Sequence, residues 1–129
     1  MERISEVQRP GLAVRIAEAA WTSRDVTLAD DAIELAEDFL KEHASPLMIL
    51  TANCALGLAS IVRADPVRAE VALGVIRPHA ETGGFGGGVP GRIAGNLMVF
   101  LGRNSQAETQ FAATEEFCRS LRDPRVRYL

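Results

Sequence analysis

From Leu28 to His43, the residues Ala29, Ala32, Ile33, Ala36, Phe39 and Leu40 fall on one helical face, while Asp30, Asp31, Glu34, Glu37, Asp38 and Glu42 occupy the other. This spacing is that of an amphipathic helix laid against a neighbour. Before it, Leu12, Ile16, Ala19 and Ala20 recur at the same spacing after Pro10-Gly11 and predict a first helix. Ser45-Pro46 is a capping residue followed by a first-turn proline, and Asp65-Pro66 repeats the signal. The helices they open are expected to end near Arg63-Ala64 and near His79. The run Gly83-Gly84-Phe85-Gly86-Gly87-Gly88-Val89-Pro90-Gly91 is expected to break the chain. A fifth helix follows from about Arg92 to Leu101. A sixth runs from Asn104 or Ser105 to about Leu121, and Asp123-Pro124 stops it. No segment alternates with a period of two, so the expected class is all-α.

The stretch from Ala44 to Val62 carries no charge and approaches the length of a membrane span. It contains Ser45, Pro46, Thr51, Asn53, Gly57 and Ser60, and it lacks flanking aromatic anchors or a positive cluster on one side. A helix buried on most sides at the centre of a helical stack is the expectation, and no membrane contact is expected.

An internal repeat supports the stack. An offset of 38 residues aligns Leu56-Gly57 with Ala94-Gly95, Ala64 with Gly102, Ala69 with Ala107, and Leu73 with Phe111. A fainter earlier copy pairs Ala17 with Gly57, Asp25 with Asp65, Ala29 with Ala69, and Ile33 with Leu73. The residue types suit helix-turn-helix units. A small residue in the first helix lets the second come close. A Gly or Ala ends the first helix, and a small residue early in the second packs at the crossing. The units cover about residues 8–43, 45–80 and 90–122 of one domain, a short right-handed solenoid of three repeats.

These positions resemble the tetratricopeptide pattern. Gly57, Ala64, Ala69 and Leu73 follow it, and Gly95, Gly102, Ala107 and Phe111 follow it more closely. The segment from Ile76-Arg77-Pro78-His79-Ala80 through Gly86-Gly87-Gly88-Val89 to Phe100-Leu101-Gly102-Arg103 is similar to the helical-repeat region of large bacterial MalT/LuxR-type signalling ATPases and adenylate-cyclase-linked regulators. Those larger proteins carry a phosphate-binding loop, and many end in a DNA-binding helix-turn-helix. Neither motif occurs here. The resemblance therefore implies a stand-alone repeat protein or a piece of a larger regulator. Its repeats are longer than the family's, and the first lacks the glycine.

Composition narrows the partner. The 129 residues include 14 basic and 17 acidic side chains, giving a net charge of −3, and only 5% are aromatic. That balance disfavours direct nucleic-acid binding. Lys41 is the sole lysine, and this Arg- and Ala-rich usage suggests a bacterial source. Residues 1–10 have no apolar signal region, so a cytoplasmic setting with reduced Cys54 and Cys118 is expected.

Candidate chemistry is sparse. The glycine run could offer amides to a phosphate, but it has no preceding strand and no Lys or helix-opening Ser/Thr, so a connection between repeats is expected. His43, His79, Cys54 and Cys118 lack metal-site spacing. His43 suits a helix C-terminus, and Cys54 should be a buried thiol. The carboxylates of the second helix read as a solvated face. Arg119, Arg122, Arg125 and Arg127 read as surface cations. No catalytic constellation, metal or cofactor is expected.

The repeat alignment places Trp21, the single tryptophan, on the first-helix face that lines the concave groove in tetratricopeptide proteins, with Val14, Glu18, Thr51, Leu58, Ile61, Arg92 and Asn96. The leading expectation is a non-enzymatic protein-interaction module in bacterial signalling or transcriptional regulation, holding a peptide or helix there. The alternative is a small-molecule sensor with an apolar cavity between the third and fifth helices. Phe111, Ala112, Phe117 and Leu121 of the sixth helix lead to an expected homodimer or a partner covering that end.

Overall fold

The computed structural model describes residues 8–42, 45–82 and 88–122, all but a few of them helical. Six helices follow in order: α1 (Gln8–Ser23), α2 (Val26–Glu42), α3 (Pro46–Val62), α4 (Pro66–Thr82), α5 (Gly88–Phe100) and α6 (Asn104–Arg122). No strand occurs among the described residues. No helix among them is long and apolar enough to cross a membrane.

Consecutive helices pack as three pairs: α1 on α2, α3 on α4, and α5 on α6. Each second helix also packs on the first helix of the next pair, α2 on α3 and α4 on α5. First helices lie beside one another, α1 against α3 and α3 against α5, whereas the backbones of α2 and α4 stay apart and are bridged by the Glu37–Arg68 ion pair at 3.2 Å. The charge-free helix α3 therefore touches α1, α2, α4 and α5, and its residues from Ala52 to Ser60 are all buried. That accounts for a helix apolar on every side.

The turn within each pair is the same structure made three times. At the ends of α1, α3 and α5, Arg24, Ala64 and Gly102 adopt left-handed backbone with φ of 58°, 54° and 79°. The amides of Asp25, Asp65 and Arg103 reach back to the carbonyls of Ala20, Ser60 and Met98 at 3.0, 2.9 and 2.7 Å. Those of Arg24, Ala64 and Gly102 reach Trp21, Ile61 and Val99. This is the Schellman closure, which satisfies carbonyls that the ending helix leaves open. The next helix starts at once. Asp25 Oδ1 accepts from the amides of Thr27 and Leu28, and Asp65 Oδ1 accepts from that of Arg68. Both are N-caps of the expected kind. Arg103 holds the equivalent place in the third turn without a side-chain acceptor.

Small residues then set the helix spacing. Ala29, Ala69 and Ala107 are buried one turn into α2, α4 and α6. Ala13, Ala17 and Ala20 of α1 share the core with Ala32 and Ala36 of α2, so this pair packs through alanines. A Cβ at Gly57 would stand 2.9 Å from Leu97, and one at Gly95 would stand 2.5 Å from the Phe111 ring. Those glycines admit α5 and the Phe111 ring respectively. Phe39, Leu50, Leu73, Ile76 and Leu97 are the large side chains wholly inside.

The boundaries differ from the expected ones at three places. Helix α1 begins before Pro10, and α5 begins at Gly88 rather than near Arg92. Both prolines, Pro10 and Pro90, lie in a first turn, where the amide they lack has no helical partner to lose. The glycine run therefore does not break the chain as far as Gly91. A Cβ at Gly91 would collide with the Thr114 hydroxyl, so the glycine there serves helix contact. Helix α4 passes through Pro78 to Thr82, with Ile76 and Ala80 buried on either side of the proline. Residues 83–87, with most of the expected connection, lie outside the described residues, as do His43, Arg125 and Arg127.

Surface ion pairs follow the repeat. Asp30 of α2 pairs with Arg63 at 3.2 Å, and Glu70 of α4 pairs with Arg103 at 2.7 Å. Each acid precedes its arginine by 33 residues. Both pairs are exposed and add little stability individually.

The turn geometry makes a signed prediction. Ala64 holds a conformation that costs an L-residue on the order of 1–2 kcal/mol, so Ala64→Gly should raise the unfolding free energy by about 0.5–1 kcal/mol. Gly102→Ala should lower it by about the same amount. Chemical denaturation of the two variants checks this, and equal signs would refute it.

Candidate functional site

The shared face of α1, α3 and α5 carries the sequence-predicted groove. Glu18 and Trp21 come from α1, Leu58 from α3, and Arg92 and Asn96 from α5; together they line a cleft of about 240 Å³. Thr22, Val89 and Ile93 complete its wall. Val14 and Thr51 line a second recess of about 370 Å³ beside it, with Leu50, Cys54 and Pro90. Glu18 and Val89 border both spaces. Ile61 lines neither and packs, half-buried, against the core.

The cleft has three helix origins because the first helices lie side by side. Its chemistry is mixed. Trp21 is half-buried and offers an indole N–H beside an apolar ring. Glu18 and Arg92 are exposed and of opposite charge. Asn96 is half-buried. The hydroxyls of Thr22 and Thr51 donate back to the Glu18 and Leu47 carbonyls of their own helices, at 3.0 and 2.9 Å. The cleft therefore presents apolar and oppositely charged groups side by side.

Cys54 lies in the wall of the second recess. Its side chain is 3% exposed, and burial pushes the thiol from an ordinary value of 9.0 up to about 12. A thiol that stays protonated at neutral pH is a poor nucleophile. Cys118 is half-buried in α6. Among the described residues, no three His, Cys, Asp or Glu side chains gather as a metal site requires. The carboxylates of α2 face outward, where Asp30 pairs with Arg63, Glu37 with Arg68 and Asp38 with Lys41. Arg119 is held by Glu115 and Glu116 at 2.8 and 3.0 Å.

Sequence reasoning missed a larger space on the other side of α3. Between α2 and α4 lies a groove of about 600 Å³. A faint signal existed, since Val67 and Val71 sit one turn apart on α4 and are 77% and 64% exposed. A buried polar pair in the middle of α6 was missed as well. Gln110 and Thr114 are buried and joined by a 3.2 Å hydrogen bond, at a level where the preceding repeat carries Ala72 and Ile76.

In comparisons with known proteins, no family model, curated protein or solved structure matches the chain.

The thiol gives a prediction. At pH 8 a thiol reagent should modify one cysteine of the native chain, Cys118, and reach Cys54 only after denaturation. The folded chain keeps a proton that the unfolded chain releases above about pH 9, so this group's stabilisation is complete below that value. It is lost as pH rises toward 12. The thermal midpoint should fall over that interval, and less steeply in Cys54→Ala.

Proposed function

We propose that the chain is a short right-handed solenoid of three tetratricopeptide-like repeats and serves as a non-enzymatic protein-interaction module. The observation that carries this reading is the cleft built by Glu18, Trp21, Leu58, Arg92 and Asn96 from three different helices. The three equivalent turns and the side-by-side first helices favour the repeat reading. A concave face of aligned first helices suits an extended peptide or an amphipathic helix. Trp21 is the apolar anchor, since aromatic side chains dominate such contacts, and Glu18 and Arg92 select charge along the ligand. The role is in bacterial signalling or transcriptional control, as the resemblance to MalT/LuxR-type repeat regions implies, and the partner is a protein or peptide.

A homodimer accompanies this reading. Where α2 and α4 each cover the first helix of the next pair, α6 has no following helix among the described residues. A second copy covering α6 would complete the pattern.

A peptide selected from a random display library against the whole chain tests the groove. Trp21→Ala and Arg92→Glu should each weaken that peptide at least about tenfold, the scale of a single hot-spot loss, with unchanged helical circular dichroism. Normal binding by both variants would refute the assignment.

A further inference from the structure

The groove between α2 and α4 lies on the side of α3 away from Trp21, and the proposed function makes no use of it. Its walls are Leu40 of α2 and Val67 and Val71 of α4, with Asn53 and Leu56 of α3 beneath. The space exists because α2 and α4 each pack on α3 with their backbones apart, bridged at the rim by the Glu37–Arg68 ion pair. Its volume of about 600 Å³ falls within the range of small-molecule sites.

Asn53 is out of place in an otherwise apolar floor. It is 5% exposed. Its Nδ2 donates to the Ile49 carbonyl at 2.9 Å, which fixes the orientation of the amide. No donor among the described residues meets Oδ1. An amide oxygen taken from water without a partner costs on the order of 1–3 kcal/mol, so a donor supplied to it is a source of binding energy. Leucine would fill the same volume without that cost.

The rim decides the charge of the ligand. Arg68 is held by Glu37 at 3.2 Å and by Asp65 at 3.5 Å, and Lys41 stands 3.7 Å from Asp38. Each cation already faces an acid, so the rim offers a charged headgroup little net attraction. A neutral molecule loses nothing there.

We infer that this groove is a binding site for a small neutral amphiphile, whose apolar body lies along Leu40, Val67 and Val71 and whose N–H or O–H donates to Asn53 Oδ1. The site is separate from the peptide-binding face. Asn53 and Leu56 point from one side of α3, and Thr51, Cys54 and Leu58 from the other.

Octanamide and N,N-dimethyloctanamide form the test pair, since both carry the same chain and carbonyl and only the first has an N–H. They are titrated into the isotope-labelled 129-residue chain and followed by NMR. Octanamide should shift the Asn53 side-chain amide and the backbone amides of residues 67–72, leaving the Trp21 indole N–H in place. It should bind about tenfold more tightly than the dimethyl compound, the scale of one satisfied buried acceptor. In Asn53→Leu that ratio should fall to near one. Val71→Asp, at a position 64% exposed, should weaken both compounds. Equal affinity of the two compounds for the wild-type chain would overturn the site. So would shifts centred on Trp21 and Asn96.

Discussion

A left-handed residue at the end of each first helix is the constraint on which the molecule depends. Arg24, Ala64 and Gly102 each reverse the chain within one residue, and the following amide closes back on the helix just left. The next helix then begins immediately, with Ala29, Ala69 or Ala107 already buried at the crossing. A looser turn would let each pair splay and would misplace the alanine that permits close approach. Glycine meets the backbone demand freely at Gly102, whereas Arg24 and Ala64 meet it under strain that the surrounding packing must offset.

Three equal turns have a two-sided consequence. First helices are brought side by side, so residues spread over some 80 positions, from Glu18 to Asn96, line one cleft. Second helices meet the next first helix instead, and α2 and α4 leave a groove between them. One side of α3 therefore looks into a cleft with an indole and two opposite charges. The other looks into an apolar trough with a single amide at its base. Both follow from the packing order and neither needs a special loop.

Much of this was legible in the sequence because it is local or periodic. Asp65 announces a helix start and the repeat pairs Asp25 with it, Ala64 and Gly102 mark turns, and the offsets near 40 residues carry Ala29 onto Ala69 and Ala107. The alignment that placed Trp21, Leu58 and Arg92 on one face named residues that the structure gathers into one cleft. The same alignment grouped Ile61 with them, yet its contacts are with the core. The early starts of α1 and α5 were hidden because Pro10 and Pro90 read as breakers, although a first-turn proline costs no hydrogen bond. The groove over Asn53 was not legible. It arises from the separation of α2 and α4, a tertiary distance that no spacing within one helix encodes. The polar pair Gln110 and Thr114 was not singled out either, since its burial depends on tertiary contacts such as the close approach of Gly91.

The claim that a partner lies across the first helices is tested most directly by hydrogen exchange of the full chain with and without a selected peptide. The account predicts slowed exchange in α1, α3 and α5, strongest around Trp21 and Arg92, with α2 and the outward side of α4 unchanged. Protection confined to α2, α4 or α6 would contradict it.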